Sequence, residues 1–214
     1  MMLIELSTVA SGVLPLAEFR EHLRLGSGFA DDNLQDSVLE TCLRAALAAI
    51  EARIGKAVLK RRFSWTLTSW ATGSVQSLPV APVVALESVA LENMDGAATL
   101  VDLNTLRLLP AVDRPKLVAK TGSLPFIPSN GQAILVFEAG FGDDWTEVPS
   151  DVAQACMMVA AKFYEDRDAN ESGSALPQSV MDLIGKYRPM RLGRALYGAE
   201  IEQKTSFGIS RTCA

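Results

Sequence analysis

The chain has 214 residues, 49% of them hydrophobic and 21% charged, with a formal net charge of −5. A chain of this length buries roughly 70% of its unfolded surface without disulfide or metal staples, in one sizeable domain or two small ones. The acidic balance excludes a protein that coats nucleic acid over its whole surface, and no apolar run is long enough to span a bilayer.

The first residues, MMLIELSTVASGVLPLAEF, hold no basic stretch, so a cleaved secretory signal is not expected. Residues 15–25 read as a short helix, with Leu16, Phe19 and Leu23 on one face and Gly26 as its stop. Asp31 and Asp32 cap a longer helix, about 32–54, that Gly55 ends. Leu39, Leu43, Leu47, Ile50 and Ile54 form one apolar stripe on it. Leu34, Val38, Cys42, Ala45 and Ala49 form a second, so two of its faces need cover.

After Gly55 the period changes. Residues 62–70 alternate, with Phe63, Trp65 and Leu67 opposite Ser64, Thr66 and Thr68, which is the pattern of a half-buried strand. The prolines of Leu78-Pro79-Val80-Ala81-Pro82-Val83 demote that stretch to an edge strand or an extended connector. Residues 86–94 and 98–103 form a hairpin about the Asp95-Gly96 turn. Residues 105–109 and 116–120 are short strands separated by Asp113-Arg114-Pro115. A loop follows over 122–131, and a strand over 134–137 closes the β section.

Gly140 and Gly142 end that strand, and Pro149 opens a helix that runs to about residue 167. Ser150 and Asp151 offer oxygens to its free N–H groups, and Glu147 and Asp151 suit the positive end of its dipole. Val152, Ala155, Cys156, Val159, Ala160 and Phe163 make one apolar face. Ala153, Met157, Met158 and Ala161 leave the first turns apolar nearly all round, so this helix too is buried on more than one side. The second side is either another part of the chain or another subunit. A polar loop over 168–175 leads to a short helix over 177–187. Beyond Pro189 no period is sustained, and such a tail is either disordered or ordered only against a partner.

Helices, then short strands, then helices is the order of an α+β fold with a central, mainly antiparallel β section. Residues 1–192 are expected to form a single domain and residues 193–214 an extended C-terminal tail.

Catalytic and metal-binding signatures are missing. The sequence has no P-loop, GxSxG, HExxH or GxGxxG. Three cysteines without CxxC or Cys/His spacing read as two buried thiols, Cys42 and Cys156, and an exposed one, Cys213, in a reducing compartment. His22, among Arg20, Glu21 and Arg24, reads as a solvated surface histidine. Asp31/Asp32, Asp143/Asp144 and Asp166/Asp168 flank helix ends or loops, where capping accounts for them. Lys56, Lys60, Arg61 and Arg62 form a basic run whose solvated reading outranks contact with a phosphate backbone or an acidic neighbour. No catalytic residue, metal site or cofactor site is expected, and so no enzyme.

A set of ordered motifs resembles the head–tail connector (adaptor) proteins of long-tailed phages and gene transfer agents. They are Ile54-Gly55-Lys56-Ala57, Trp65 and Trp70, Leu78-Pro79 with Pro82-Val83, and Leu86-Glu87-Ser88-Val89 before Asp95-Gly96. Arg114-Pro115 follows, then Glu138-Ala139-Gly140-Phe141-Gly142 with Val148-Pro149, Phe163-Tyr164-Glu165-Asp166-Arg167 and Tyr187-Arg188-Pro189-Met190-Arg191-Leu192. The match runs over residues 15–192. It departs from the family at Gly122-Ser123-Leu124-Pro125, where Trp-Pro often stands.

The resemblance implies a non-enzymatic virion protein, about twelve copies of which close into a ring. The ring docks beneath the portal protein, extends the DNA channel and offers a platform to a stopper or tail-terminator protein. It implies a place in the neck of a particle assembled in the bacterial cytoplasm, with no membrane contact. The outer faces of the two-faced helices then supply candidate subunit-interface residues: Leu34, Val38, Met157, Met158 and Ala161. The helices alone favour burial within the chain; the resemblance favours the ring. Arg188, Arg191 and Arg194, with the aromatic anchors Tyr197 and Phe207, are candidate portal-binding residues in a positive tail. A net charge of −5 suits a lumen that lets DNA pass without specific binding. The alternative is a DNA-packaging or DNA-binding accessory protein that uses the N-terminal helices and the basic run.

Overall fold

The computed structural model describes residues 1–25, 35–166 and 176–188. The class is α+β, as expected. Among the described residues the α-helices are α1 (Leu16–His22), α2 (Asp36–Ile54), α3 (Ser150–Glu165) and α4 (Gln178–Ile184). The strands are β1 (Met2–Glu5), β2 (Arg61–Leu67), β3 (Val75–Ser77), β4 (Val83–Glu92), β5 (Ala98–Leu100), β6 (Leu106–Leu109), β7 (Lys116–Ala119) and β8 (Gln132–Ala139). They form a five-stranded sheet in the order β1-β2-β8-β4-β5 and a three-stranded sheet in the order β3-β7-β6. Every pair of neighbouring strands is antiparallel.

The alternation read from the sequence sets the faces. In β2, Phe63, Trp65 and Leu67 are buried; in β8, Ala133, Leu135, Phe137 and Ala139 are. Phe63 sits directly across from Phe137, and their rings stack at 5.9 Å. Leu106 and Leu117 of the smaller sheet join this cluster, so the two sheets share one core. A second core lies among the helices, where Phe19, Leu39, Leu43, Ile50, Val152, Val159, Val180 and Ile184 are almost fully buried. The segment after α2 links the two: Ala57 belongs to the sheet core, Val58 and Leu59 to the helical one.

Several boundaries differ from expectation. The first helix stops at His22 instead of about 25, because Arg24 turns the chain with φ 55. Strand β4 begins at Val83 and takes in the end of the proline-rich stretch, while β5 stops at Leu100. The turn between them is held by the Asn93 side chain, which accepts from the N–H groups of Asp95 (3.0 Å) and Ala97 (2.9 Å). Strand β1 is absent from the sequence reading. Its four residues are apolar or acidic with no period to distinguish them, and its pairing with β2 is long-range.

The caps differ too. Pro149 is the N-cap of α3 and its own side chain makes no cap bond; the Pro149 carbonyl accepts from the Ala153 N–H at 2.9 Å, and Asp151 Oδ1 accepts from the Val152 N–H of the first turn at 3.1 Å, as expected. Glu147, expected to complement the dipole, instead accepts from the N–H groups of Asp143 (2.7 Å) and Asp144 (3.3 Å). Of the Asp143/Asp144 pair, Asp144 is the N-cap of the short turn Trp145–Glu147, in a capping box with Glu147, as expected, while Asp143 pairs with Lys60 at 2.7 Å. The expected cap at Asp31 and Asp32 lies outside the described residues.

Candidate functional site

Strand β8 ends where the chain must pass very close to its neighbour. Gly140 has φ 149, and a Cβ there would lie 2.4 Å from both N and Cα of Lys60. Around it the Gly140 N–H donates to the Pro82 carbonyl (3.0 Å), the Phe141 N–H to Val58 (3.2 Å), and the Lys60 N–H to Gly142 (2.8 Å). The AGFG loop is thus stitched between the segments before β2 and before β4. This is why a glycine stands at Gly140 and why the loop sits at a set angle to the helical core.

That loop presents Phe141 to the other end of the chain. The Phe141 and Tyr187 rings meet edge to face at 6.0 Å. The Tyr187 hydroxyl donates to Asp151 Oδ1 at 2.7 Å, and Lys186 Nζ lies 2.6 Å from Asp151 Oδ2. Burial works to raise the Asp151 carboxyl, but the bonds from Lys186 and Tyr187 outweigh it and hold the group below its ordinary value. The same carboxylate raises Lys186. The sequence reading gave Asp151 to the helix dipole. Besides the Val152 N–H, it takes partners 35 and 36 residues away along the chain, and these pin the last described turn, Gly185–Tyr187, to the first turn of α3. The motifs AGFG, VPSD and KYR therefore meet at one place, from which exposed Arg188 leads away.

Other motif residues also meet. The Leu78 N–H donates to the Pro115 carbonyl at 2.9 Å, and Trp70 Nε1 donates to the Pro125 carbonyl at 2.7 Å. Beside Arg188 lies an open cleft of about 690 Å³, lined among others by Val112, Arg114, Lys116 and Lys186.

The basic run is not solvated as expected, because acidic groups from distant parts of the fold meet it. Lys56, buried, pairs with Asp113; Lys60 pairs with Asp143; Arg61 pairs with Glu51 at 2.6 Å and Glu5 at 3.5 Å; and Arg62 grips Glu87. Burial raises the Glu51 carboxyl, against the pull of Arg61 and of the Val58 N–H.

The expected interface residues separate. Met157 is 7% exposed and packs inside the helical core, because α3 turns it toward the chain's own side chains. Met158 and Ala161 are half-buried against the same core. Val38 is 38% exposed. It lines an apolar groove of about 430 Å³ with Ser37, Thr41, Cys42, Ala45 and Phe163, the last of which is half-buried against the helical core, as its place on a core face suggests. Leu34, Arg191, Arg194, Tyr197 and Phe207 lie outside the described residues, as does Cys213. Cys42 and Cys156 are buried, as expected, and burial pushes the Cys156 thiol up to about 12, with Glu51 adding to the effect. His22 is exposed. Among the described residues no group of His, Cys, Asp and Glu could hold a metal ion, and no helix is long and apolar enough to cross a membrane.

No protein-family model and no curated protein matches this chain. Solved structures do. A chain in the neck of an empty GTA particle computed with C6 symmetry is 43% identical at a TM-score of 0.83, covering 91% of this chain and 98% of that one. A chain in the virion of a native gene transfer agent (GTA) particle is 43% identical at 0.80, with the same coverage. A chain in the neck of a native GTA particle computed with C12 symmetry is 40% identical at 0.79, again with the same coverage.

Proposed function

The chain belongs to the head–tail connector (adaptor) family represented in gene transfer agent necks, and on that premise we propose that twelve copies close into a ring beneath the portal. The observation that carries this reading is the likeness, over 91% of the chain, to a protein resolved in a particle neck with C12 symmetry. The role is structural: a neck component of a virion or gene transfer particle. Beyond it, the ring extends the DNA channel, offers its far side to a stopper or tail-terminator protein, and assembles in the bacterial cytoplasm without catalysis.

Residues 1–192 act as one domain and residues 193–214 as an extension that clamps the portal. Support for the clamp comes from the anchored exit. Asp151, Lys186, Tyr187 and Phe141 hold the chain until Arg188, so whatever follows starts from a defined point. Arg188, Arg191 and Arg194 with Tyr197 and Phe207 would then meet an acidic portal surface. Val38, Met158 and Ala161 are the interface candidates that remain at or near the surface.

A conduit must not grip its cargo. The −5 charge and the internal pairing of Lys56, Lys60, Arg61 and Arg62 leave little basic surface in that run for phosphates. The same pairing removes the main support for a DNA-binding accessory. The test is deletion of residues 193–214, with docking to purified portal read by negative-stain imaging. The shortened chain should keep its circular dichroism and lose portal caps. Unchanged caps would overturn the clamp, and a full-length chain that neither forms rings nor caps portal would overturn the ring.

A further inference from the structure

The register of the larger sheet gives the molecule two unlike ends. Arg61 of β2 and Val83 of β4 both lie beside Ala139 of β8, next to the glycine loop and the helices. Leu67, Gln132 and Glu92 lie at the other end. The Asp95-Gly96 turn and the 122–131 loop therefore meet at a sheet tip, away from the exit at Arg188. Two of the most exposed large apolar side chains described stand there, Phe126 at 80% and Met94 at 72%.

Anchored loops hold both side chains out. Before Phe126, Trp70 Nε1 donates to the Pro125 carbonyl and the Leu124 N–H to the Gly73 carbonyl, each at 2.7 Å, and Leu124 is buried in the sheet core. After it, Ile127 packs against that core and the Gly131 N–H donates to the Pro128 carbonyl at 2.9 Å. Met94 lies in the turn that the Asn93 side chain holds. The loop and the turn adjoin, since a Cβ on Gly131 would lie 2.3 Å from the Glu92 carbonyl oxygen. A ring presented by a fixed backbone loses little conformational freedom on docking, and phenylalanine and methionine are enriched at protein interfaces.

Residue 35 precedes α2 and residue 166 follows α3, at the ends of those helices furthest from β2 and the glycine loop. The segments 26–34 and 167–175 hold nine residues each. Out and back, such a segment reaches about 15 Å at most. The lengths of α2, about 28 Å, and of β2, about 23 Å, stand between it and the tip. Residues 189–214 are long enough to reach the tip, and the test below includes them.

We infer that the sheet tip docks the protein that follows in the neck, on the side away from the portal, and that Phe126 and Met94 seat in apolar recesses of its surface. This rests on the connector reading above. A cyclic ring of one chain has two unlike faces. The exit at Arg188 belongs to the helical side, which leaves the tip for the other face. Nucleic acid does not suit the tip, where Glu92 and Asp95 outnumber Lys120.

The test assembles particles with Phe126→Asp and Met94→Asp together. Both positions are on the surface, so the isolated chain should melt as wild type does, form rings and cap purified portal. The share of filled particles that carry a tail should fall at least tenfold. Undiminished tail attachment would overturn the inference. So would a folded double variant that loses rings or portal caps, because the tip would then face a neighbouring copy or the portal; that result leaves the connector reading standing. A wild-type chain that neither forms rings nor caps portal would overturn both. Phe126→Cys in a Cys213→Ala background supplies a second readout. Its thiol should take maleimide quickly in the isolated chain and in free rings, and at least tenfold more slowly in tailed particles. Equal labelling in tailed particles would overturn the inference. Slow labelling of the isolated chain that quickens on deletion of residues 189–214 would also overturn it, because the chain's own tail would then occupy the tip.

Discussion

Replacing Arg61 with methionine removes the cation from an ion pair that ties α2 to β2. Arg61 is 10% exposed at its side chain and Glu51 16%, and their closest atoms are 2.6 Å apart. The guanidinium also lies 5.5 Å from the centre of the Phe63 ring and 3.5 Å from Glu5. Methionine keeps much of the apolar stem against Phe63, so the loss is chiefly electrostatic. Glu51 would be left buried with the Val58 N–H bond of 2.8 Å but no cation. Removing one partner of a buried pair costs about 3–5 kcal/mol. The lower end applies because both groups keep a rim of solvent, and Glu5 adds little from its exposed position. About 3 kcal/mol lowers the melting temperature of a chain this size by about 6–12 °C.

The loss should depend on pH. The folded Glu51 carboxyl already sits above its ordinary value because of burial, and losing Arg61 raises it further. A carboxyl raised on folding binds its proton more tightly in the folded state. Its stabilising contribution is therefore present at low pH and disappears as pH rises through the folded value. The variant's deficit should be largest near pH 8 and shrink toward pH 5. Adding Glu51→Gln, which keeps an acceptor for Val58, should recover most of it. Thermal melts followed by circular dichroism decide the matter. A variant within a degree or so of wild type at pH 8, or a deficit that is flat in pH, refutes the argument.

Gly140→Ala should cost at least about 3 kcal/mol, since the new Cβ meets the Lys60 backbone at 2.4 Å in a conformation side chains avoid; a urea midpoint equal to wild type would contradict this. Cys156, its thiol pushed up to about 12, should resist maleimide at pH 8 in the native chain and label on unfolding; fast native labelling would show that its burial is wrong. Asp151→Asn should speed amide exchange over residues 178–188 by about fivefold near neutral pH, the worth of a partly exposed hydrogen-bonded pair. With Asp151 held below 3.8 and Lys186 raised above 10.5, that tether should weaken only as pH falls through the lowered carboxyl value or rises through the raised amine. Exchange that is unchanged by the substitution would mean that Phe141 and the apolar contacts alone hold the turn.

The class, most elements and the central motif were legible in the residues because they depend on local rules. Period two marks β2 and β8, and it survives folding because one face of each strand is buried. Gly55 ends α2 in a left-handed conformation, φ 67, as its position after the apolar stripe suggests. The Asp95-Gly96 signal and the glycines after β8 each fall where the chain turns. The ends of α1 and α3 were placed a few residues too far, since the last turn of a helix frays and, in α1, Arg24 turns the chain away.

The interface candidates were less legible. Val38 and Met157 look alike in sequence, as apolar residues on a second helix face, yet one lines an open groove and the other is buried. The period gives the angle between stripes on one helix; it does not say which stripe a neighbouring helix covers. Phe163, read as facing inward, is half-buried against the helical core and also borders the groove. The arm at β1 was missed because four residues carry too little period and its pairing with β2 is long-range.

What the sequence by itself determined was the alternation of elements, their turns and the order of motifs that marks the connector family. These rest on backbone conformations and on spacings of a few residues. Only the tertiary structure decided the fate of the charges. Lys56 meets Asp113 and Lys60 meets Asp143 across 57 and 83 residues, and Asp151 turns from a helix end to Lys186 and Tyr187. Such pairs form when packing of the two cores brings their segments together, and no local pattern encodes that meeting.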